Sequence, residues 1–285
     1  MSTNQKSDFP AKPFLLDYGY NKYSQNGEDG VIESIFGVIG TVSKVCIEFG
    51  AWDGFHLSNT ANLWTQGWKG VLIEGDRRRF QELRANTRSY DCVCINAYVT
   101  RGGATRLEAL LEQANIADAV DVLSIDIDGD DYYILQSLER LRPRVIICEY
   151  NPTIPAEIDL YAEYGSDFGS SVTALTRVAR EKGYELVALT DTNCFFVVRE
   201  EAAKLSKFET RLENIRRDGQ LIYLITSYKG DYAISRPLPY GFNFPYRGLL
   251  YGPHHRTEAK CALMRWWYDT IKMARNIVKR LLGRS

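Results

Sequence analysis

Short apolar runs alternate along the chain with longer stretches in which apolar residues recur at helical spacing. The runs cover residues 44–50, 70–75, 92–97, 121–126, 144–149, 185–189 and 194–199. Their hydrophobicity is continuous rather than alternating, as expected of strands that are covered on both faces. The helical stretches between them cover residues 59–66, 78–86, 106–113, 132–141 and 171–182. This pattern predicts an α/β fold with a doubly wound, mostly parallel seven-stranded sheet.

The two ends of this pattern set the predicted domain boundaries. Only residues 190–193 separate the last two runs, which predicts an antiparallel hairpin at one edge of the sheet. Residues 1–22 form an N-terminal extension, and the α/β domain covers residues 23–200. The stretch 201–255 is expected to form a charged helix and an aromatic, Pro-rich loop at 237–247, which are interpreted as a lid or docking segment, or as a packed connection. A basic amphipathic helix is expected at 256–285.

The C-terminal stretch 256–285 differs from the rest of the chain in charge. It holds eight of the 35 basic residues and two of the 36 acidic ones, which leaves +6 on this stretch and −7 on the residues before it. Its polar face is basic and Trp residues border its apolar stripe, as in helices that lie at a membrane surface. We therefore expect contact with an anionic membrane surface, or else packing on the domain itself or on a second subunit.

The composition is that of a globular protein from a reducing compartment. Apolar residues make up 45% and charged residues 25%, which excludes disordered, collagen-like and disulfide-scaffold proteins. Five of the six cysteines lie in apolar runs, as small buried hydrophobic residues do. The sequence shows neither an apolar leader nor a stretch of ~18 apolar residues. It predicts a cytoplasmic protein, with peripheral attachment to the inner face of the membrane as the open alternative.

Candidate cofactor residues follow the first three runs, because ligands of open α/β sheets bind beyond the carboxyl ends of the strands. The first run and the turn after it supply Glu48, Gly50, Asp53, Gly54, Ser58 and Asn59. Acidic residues and the absence of a G-x-G-x-x-G spacing disfavour a dinucleotide here. They suit a cationic ligand such as S-adenosylmethionine, whose ammonium and sulfonium groups are positive. Further on, Glu74 can accept both ribose hydroxyls, and Asn96 with Ala97 can contact the adenine edge.

The fourth and fifth runs end in a second set of polar residues. Asp126 and Asp128 are alternate residues and point the same way, and Glu149 and Asn151 end the neighbouring run. Oxygen ligands of this kind bind hard divalent ions such as Mg²⁺, so Asp126, Glu149 and Asn151 are candidate metal ligands. The alternative is that Asp126 or Asp128 acts directly as a general base.

Three further polar residues have less specific expected roles. Asp130 and Asp131 are expected to be solvated at a helix start, where the helix dipole favours negative charge. His56 is a second candidate base in the glycine-rich turn, or simply a loop residue.

Four motifs resemble those of one family of enzymes. They are Tyr-Ser-Gln-Asn-Gly-Glu-Asp-Gly at 23–30, Glu-Phe-Gly-Ala-Trp-Asp-Gly at 48–54 with Ser-Asn-Thr at 58–60, Leu-Ile-Glu-Gly-Asp at 72–76, and Ser-Ile-Asp-Ile-Asp-Gly at 124–129. On these motifs the chain resembles the FkbM-type S-adenosylmethionine-dependent methyltransferases from about residue 23 to 199. The resemblance implies a Rossmann-like class I methyltransferase fold and O-methylation of a sugar. It also implies that Gln25 and Glu28 lie near the cofactor.

The chain departs from that family in two places. The family motif after the fourth strand resembles Asp-Val-Glu-Gly, whereas this chain has Asp126-Ile-Asp128-Gly129, with a shorter second carboxylate. The region after residue 200 lies outside the family pattern.

The expected function is therefore O-methylation of a sugar hydroxyl in a glycan, a glycolipid or a related cell-surface polysaccharide. Asp126 and Asp128 are expected to carry the proton or the metal. The alternative is a non-catalytic scaffold or binding module of the same fold that docks at a membrane glycan-assembly complex. A nucleic-acid partner is not expected, because the domain before the basic tail is acidic.

Overall fold

The computed structural model describes residues 12–116, 119–226, 228, 232–235 and 249–250. The predicted helix at 256–285 and the aromatic loop at 237–247 lie outside these residues. The described residues fall into two compact units, one ending at residue 219 and the other beginning at residue 220. In the described part, no helix is both long enough and apolar enough to cross a membrane.

The first unit is built on a seven-stranded sheet. Its strands are β1 (Val45–Phe49), β2 (Lys69–Glu74), β3 (Cys92–Asn96), β4 (Val122–Ile125), β5 (Val145–Glu149), β6 (Tyr184–Leu189) and β7 (Asn193–Val198). Their order is β3-β2-β1-β4-β5-β7-β6. Strand β7 runs opposite in direction to the other six strands of this sheet, and it forms the hairpin with the edge strand β6. The predicted fold class and the edge hairpin are confirmed.

Helices cover both faces of this sheet. They are α1 (Glu28–Ile39), α2 (Ala61–Trp64), α3 (Arg77–Thr87), α4 (Leu107–Gln113), α5 (Asp131–Ser137), α6 (Val172–Glu181), α7 (Arg199–Ala202) and α8 (Leu212–Ile215). Short 3-10 turns lie at Leu15–Tyr18, Gly103–Thr105, Ala203–Leu205 and Asp218–Gln220. Helices α1 to α3 pack on one face and α4 to α6 on the other.

Local sequence signals explain several helix ends. The Asp76 carboxylate accepts hydrogen bonds from the backbone of Arg78 and Arg79, which starts α3. The Ser171 hydroxyl caps α6 through the Ala174 amide at 3.1 Å, and Gly183 follows that helix with a φ of 84°. Helix α1 was not predicted from the sequence, although it buries one of its faces fully in the core.

The second unit is described in three strands, β8 (Leu224–Thr226), β9 (Tyr232–Ile234) and β10 (Leu249–Leu250). Their order is β10-β9-β8, with β9 antiparallel to β8 and parallel to β10. These strands were not predicted, because the sequence pattern in this stretch is irregular.

The five cysteines within the described residues are free thiols. Cys46, Cys148 and Cys194 are buried in the sheet, and Cys92 and Cys94 are half-buried. They fill space as small hydrophobic residues, as predicted from the apolar runs.

The alternation of side chains along each strand decides which acids share a face. Cys46, Leu72 and Ile147 pack on the α1 side of the sheet. Because residues two apart in a strand point to the same face, Glu48, Glu74 and Glu149 also point to the α1 side. The acidic ends of three strands therefore lie on one face, at the edge where the parallel strands end.

Candidate active site

The sheet has a topological switch point between β1 and β4. From β1 the chain proceeds outward to β2 and β3, and it then returns to continue through β4 and β5 on the other side. Open α/β sheets bind their ligands in the crevice beyond the carboxyl ends of such strands. Gly50 follows β1 here with a φ of 75°, and a Cβ at this position would overlap the backbone oxygen of Asp126. The two strand ends therefore meet at a position that only glycine fits.

Glu48 is buried and holds the loop after β1. Its carboxylate accepts hydrogen bonds from the hydroxyls of Ser58 and Thr60, both at 2.6 Å, and from the Asn59 amide at 2.8 Å. Burial raises the pKa of Glu48, and these donors act in the opposite direction. Both carboxylate oxygens are used inside the protein. The geometry gives Glu48 a role in ordering residues 58–60, and its role as a cofactor ligand stays a prediction.

Asn59 and Ser58 fix the position of this loop against the sheet. The Asn59 side-chain amide donates to the Ser124 hydroxyl on β4 at 3.1 Å. The Ser58 hydroxyl accepts from the Ala61 amide at 2.9 Å, at the start of α2. Helix α2 begins at Ala61, two residues later than the predicted stretch 59–66, since residues 58–60 are ordered by Glu48 instead, and it ends at Trp64.

Glu74 lies at the end of β2 and organises the neighbouring turns. Its two oxygens accept hydrogen bonds from the backbone amides of Trp52 at 2.8 Å and Asp76 at 2.7 Å. Each oxygen accepts one such bond and keeps a lone pair for a further donor. The Asn96 side chain donates from Nδ2 to the backbone oxygen of Glu74 at 2.7 Å, and the backbone amide of Ala97 donates to the same oxygen at 3.2 Å. The predicted ribose and adenine residues therefore form one connected group.

The glycine-rich turn after β1 is stabilised from within. One Asp53 carboxylate oxygen accepts from the backbone of Phe55 at 3.0 Å and of His56 at 2.8 Å. Gly54, with a φ of 92°, packs against Leu83 of α3. His56 is exposed and its ring lies 5.6 Å from the ring of Trp52. Asp53 thus shapes the turn, and His56 belongs to its outer surface.

Glu28 connects the N-terminal motif to the turn between β6 and β7. This residue is fully buried, and its carboxylate accepts from Thr190 Oγ1 at 2.7 Å, Asn193 Nδ2 at 3.1 Å and the Asn26 amide at 2.7 Å. Gln25 is exposed, and its backbone oxygen accepts from the Asn21 amide side chain. Glu28 is therefore a link between the motif and the turn that joins β6 to β7.

Asp29 is a buried acid that the sequence did not single out. Its Oδ2 accepts from the backbone amides of Lys22, Tyr23 and Ser24 at 2.8–3.0 Å. Its place inside the Ser-Gln-Asn-Gly-Glu-Asp motif was the available signal.

Three carboxylates converge beyond β4 and β5. One oxygen each of Asp126, Asp128 and Glu149 lies within 4.8 Å of the others. Asp126 and Glu149 are half-buried, whereas Asp128 is exposed and adopts a left-handed backbone with a φ of 57°. We name these three residues the acidic triplet. The structure thus brings together both predicted catalytic residues, Asp126 and Asp128, and two of the three predicted metal ligands, Asp126 and Glu149.

Asp131 stabilises the turn that carries Asp128, whereas the sequence predicted that it would be exposed to solvent. It is 3% exposed, and its two oxygens accept from the backbone amides of Ile127 at 3.1 Å and Gly129 at 3.0 Å. Burial raises its pKa to about 6. The prediction was wrong because the chain folds back over the Asp131 side chain to form the turn at 127–129. Asp130 accepts from the Gly165 amide at 2.7 Å.

The acidic triplet is electrostatically unusual. Burial raises the pKa of Asp126 and of Glu149 well above the ordinary range, and repulsion from the surrounding carboxylates raises both further. Such a group either retains protons near neutral pH or takes up a cation. Three oxygens at this spacing fit a hard divalent ion, which prefers carboxylate ligands.

Asn151 lies close to the triplet but its side chain is used in the following loop. Its Oδ1 accepts from the Thr153 amide at 2.9 Å and from the Thr153 hydroxyl at 2.6 Å, and its Nδ2 donates to the Phe168 backbone oxygen at 2.8 Å. Metal ligation by Asn151 would have to compete with these bonds and stays a prediction.

A separate cleft of about 770 Å³ lies along α6, with Arg177, Leu186 and Leu212 among its lining residues. None of the strand-end acids lines it. The chemistry of the strand ends, and not the size of this cleft, places the candidate active site at the switch point.

No protein-family model and no curated protein sequence matches the chain. Solved structures to which it is similar include a protein assigned as an O-methyltransferase from Klebsiella pneumoniae, at 15% identity over 65% of this chain and 87% of that one, with a TM-score of 0.41. The CMeT domain of the citrinin polyketide synthase is 9% identical over 62% of this chain and 54% of that one, with a TM-score of 0.40. The precorrin-6y C5,15-methyltransferase from Geobacter metallireducens GS-15 is 13% identical over 63% of this chain and 90% of that one, with a TM-score of 0.38. Values this low assign neither a reaction nor a cofactor to this chain.

Proposed function

We propose that the protein is an S-adenosylmethionine-dependent O-methyltransferase that acts on a sugar hydroxyl of a glycan, a glycolipid or a related polysaccharide. The observation that carries the proposal is the position of the acidic triplet at the switch point, next to the contact between Gly50 and Asp126. The FkbM-type motifs support the same reading, since each of them falls at this edge of the sheet or is tied to it.

The cofactor side of the site is formed by the ends of β1, β2 and β3. Glu74 would accept the ribose hydroxyls with its remaining lone pairs, and Asn96 and Ala97 would contact the adenine. The turn at Gly50–Gly54 lets the backbone approach the ligand, and the acidic surroundings favour its positive charges. The bound cofactor supplies an electrophilic methyl group on a sulfonium.

The acceptor side is formed by Asp126 and Asp128. A raised pKa makes the Asp126 carboxylate a stronger base than an ordinary aspartate. Asp126 would take the hydroxyl proton of the acceptor, and the acceptor oxygen would then receive the methyl group that the cofactor supplies. Alignment of the hydroxyl by Asp128 supplies the rest of the rate enhancement, since no covalent intermediate is needed.

A divalent cation is the second arrangement that the triplet accommodates. Asp126, Asp128 and Glu149 would hold Mg²⁺, and the ion would lower the pKa of a bound hydroxyl. The proton then leaves to solvent, and Asp126 acts as a ligand instead of a base.

Calorimetry of the full chain with S-adenosylmethionine tests the proposal. We expect binding by the wild type and a loss of about tenfold or more in Glu74→Gln, because the amide removes one hydroxyl acceptor. Glu82→Gln on the surface of α3 is the matched control and should bind as the wild type does. Absence of binding at millimolar cofactor would overturn the proposal in favour of the scaffold.

A further inference from the structure

A loop with three exposed aromatic rings lies beside the acidic triplet. We name residues 161–168 the aromatic segment. A Cβ at Gly129, whose φ is 147°, would overlap the backbone oxygen of Ser166. Asp130 accepts a hydrogen bond from the Gly165 amide at 2.7 Å. The aromatic segment is therefore packed directly on the turn that presents Asp128.

The rings of this segment are open to solvent on one side. Tyr161 is 49% exposed and Phe168 is 56% exposed. The ring of Tyr161 lies parallel to that of Tyr132, with 4.4 Å between the centroids, and Tyr132 is buried. One face of Tyr161 is thus held by a core residue, while the ring remains half exposed. A ring supported in this way loses little conformational freedom when a ligand stacks on it.

The aromatic segment is anchored at its C-terminal end and in its middle. The Phe168 backbone oxygen accepts from Asn151 Nδ2 at 2.8 Å, at the end of β5. Tyr164 is 37% exposed, and the Arg101 guanidinium lies 4.3 Å from the centroid of its ring. Arg101 belongs to the loop after β3, so this contact joins the cofactor side of the sheet edge to the aromatic segment.

Carboxylates outnumber cations around these rings, although Arg101 lies 4.3 Å from the centroid of Tyr164 and Arg177 lies 5.9 Å from that of Tyr161. Residues 157–168 contain Glu157, Asp159, Glu163 and Asp167 and have no basic residue. Asp159 is paired with Arg177 at 2.9 Å. The acidic triplet adjoins this stretch. Carboxylates repel anionic ligands and accept hydrogen bonds from hydroxyl groups.

Exposed rings and carboxylate acceptors together suit a ligand with an apolar C–H face and hydroxyl donors. A pyranose ring has both. We propose that the aromatic segment binds the acceptor as an uncharged sugar, with the C–H face of a pyranose stacked on Tyr161 or Phe168, and that it excludes uronic acids and phosphorylated sugars. This inference rests on the proposed function for its biological meaning, but sugar binding itself requires no methyl donor.

The test uses the full-length protein without S-adenosylmethionine on an array of neutral oligosaccharides, uronic-acid oligosaccharides and phosphorylated sugars. We expect binding to neutral members only. Affinity should fall by about fivefold to tenfold in Phe168→Ala and in Tyr161→Ala, and Tyr161→Phe should bind nearly as the wild type, because it retains the ring. Tyr18→Ala is the matched control, since Tyr18 is 53% exposed and packs against one ring, that of Phe208.

Several results would overturn this inference: no binding to any neutral glycan, a preference for acidic glycans, or equal binding by wild type and both Ala variants. Binding of a basic peptide in place of glycans would assign the surface to a protein partner instead. Failure of the methyltransferase proposal is distinguishable, because it appears as absent cofactor binding in calorimetry while glycan binding persists.

Discussion

The acids at the two sides of the switch point are of two kinds. On the β1–β2 side, Glu48 and Glu74 have both carboxylate oxygens hydrogen-bonded to donors of the chain itself. On the β4–β5 side, the side chains of Asp126, Asp128 and Glu149 have no hydrogen-bond or ion-pair partner among the described residues, although Asp126 and Glu149 are half-buried. A buried carboxylate that is hydrogen-bonded on both oxygens orders the chain around it, whereas a carboxylate without a protein partner is free to take a proton, a cation or a substrate.

The largest effect that would separate the two sides is on catalysis. Asp126→Asn removes the proton acceptor or a ligand charge, and we expect the rate of methyl transfer to fall by roughly 10²–10⁴. Cofactor affinity should stay within severalfold, because the cofactor residues lie on the other side. Rates with the acceptor and calorimetry with S-adenosylmethionine measure the two quantities. Asp91→Asn, exposed just before β3, is the control. Unchanged turnover in Asp126→Asn would remove Asp126 from the chemistry.

Stability should respond in the opposite way. Glu48→Gln leaves a hydroxyl or amide donor of residues 58–60 mispaired in a buried place, so we expect a loss of about 2 kcal/mol in the free energy of unfolding. Asp126→Asn removes a repelled charge and should be neutral or slightly stabilising. Chemical denaturation of both variants measures the contrast. A Glu48→Gln variant as stable as the wild type would show that this carboxylate does not order the loop.

The pH dependence of stability should come from the acids on the β4–β5 side of the switch point. Raised pKa values of Asp126 and Glu149 mean that the folded protein binds more protons than the unfolded chain between the ordinary carboxyl range and these raised values. Stability is therefore greatest at the acidic end of that window and falls as pH rises through it. Melting temperatures from pH 5 to 9 should decline, and Asp126→Asn should flatten the decline. An unchanged slope in this variant would mean that another group is responsible.

The smallest expected effect is a change in melting temperature on addition of Mg²⁺, and it separates metal binding by the acidic triplet from direct proton transfer by Asp126. If Mg²⁺ binds there, millimolar MgCl₂ at pH 8 should raise the melting temperature by about 3 °C, because a ligand of the folded state stabilises it. Asp128→Asn should abolish this rise, and Ca²⁺ should be compared with Mg²⁺. A rise that persists in Asp128→Asn would place the ion elsewhere, and no rise in the wild type would favour direct proton transfer.

The sheet was predictable because its strands are buried on both faces and therefore appear as unbroken apolar runs. The strand-end acids were predictable as a group for the same reason, since each follows a run directly. The sequence did not show which of these acids order the chain and which have no protein partner, because that depends on donors far away in sequence. Glu28 illustrates this, as two of its donors, Thr190 and Asn193, come from more than 160 residues away.

Asp131 and α1 show two other limits of the sequence. Asp131 has the composition of a solvated turn, and only the backbone amides of Ile127 and Gly129 reveal that it is buried. Helix α1 precedes the first strand, outside the strand–helix repeat on which the prediction was based. Its apolar residues Val31, Ile35 and Phe36 have the spacing of a buried helical face and could have identified it.

The position of β7 inside the sheet has a consequence for how the protein is made. Strand β7 pairs with both β5 and β6, so β6 has no partner in the sheet until residues 193–198 have been synthesised. Until then the β5 edge is open and can pair with another chain. The hairpin must form and insert late, after all the parallel strands are available. A nascent chain that ends shortly before Asn193 should therefore remain bound to chaperones, whereas one that extends past Val198 should be able to close its sheet.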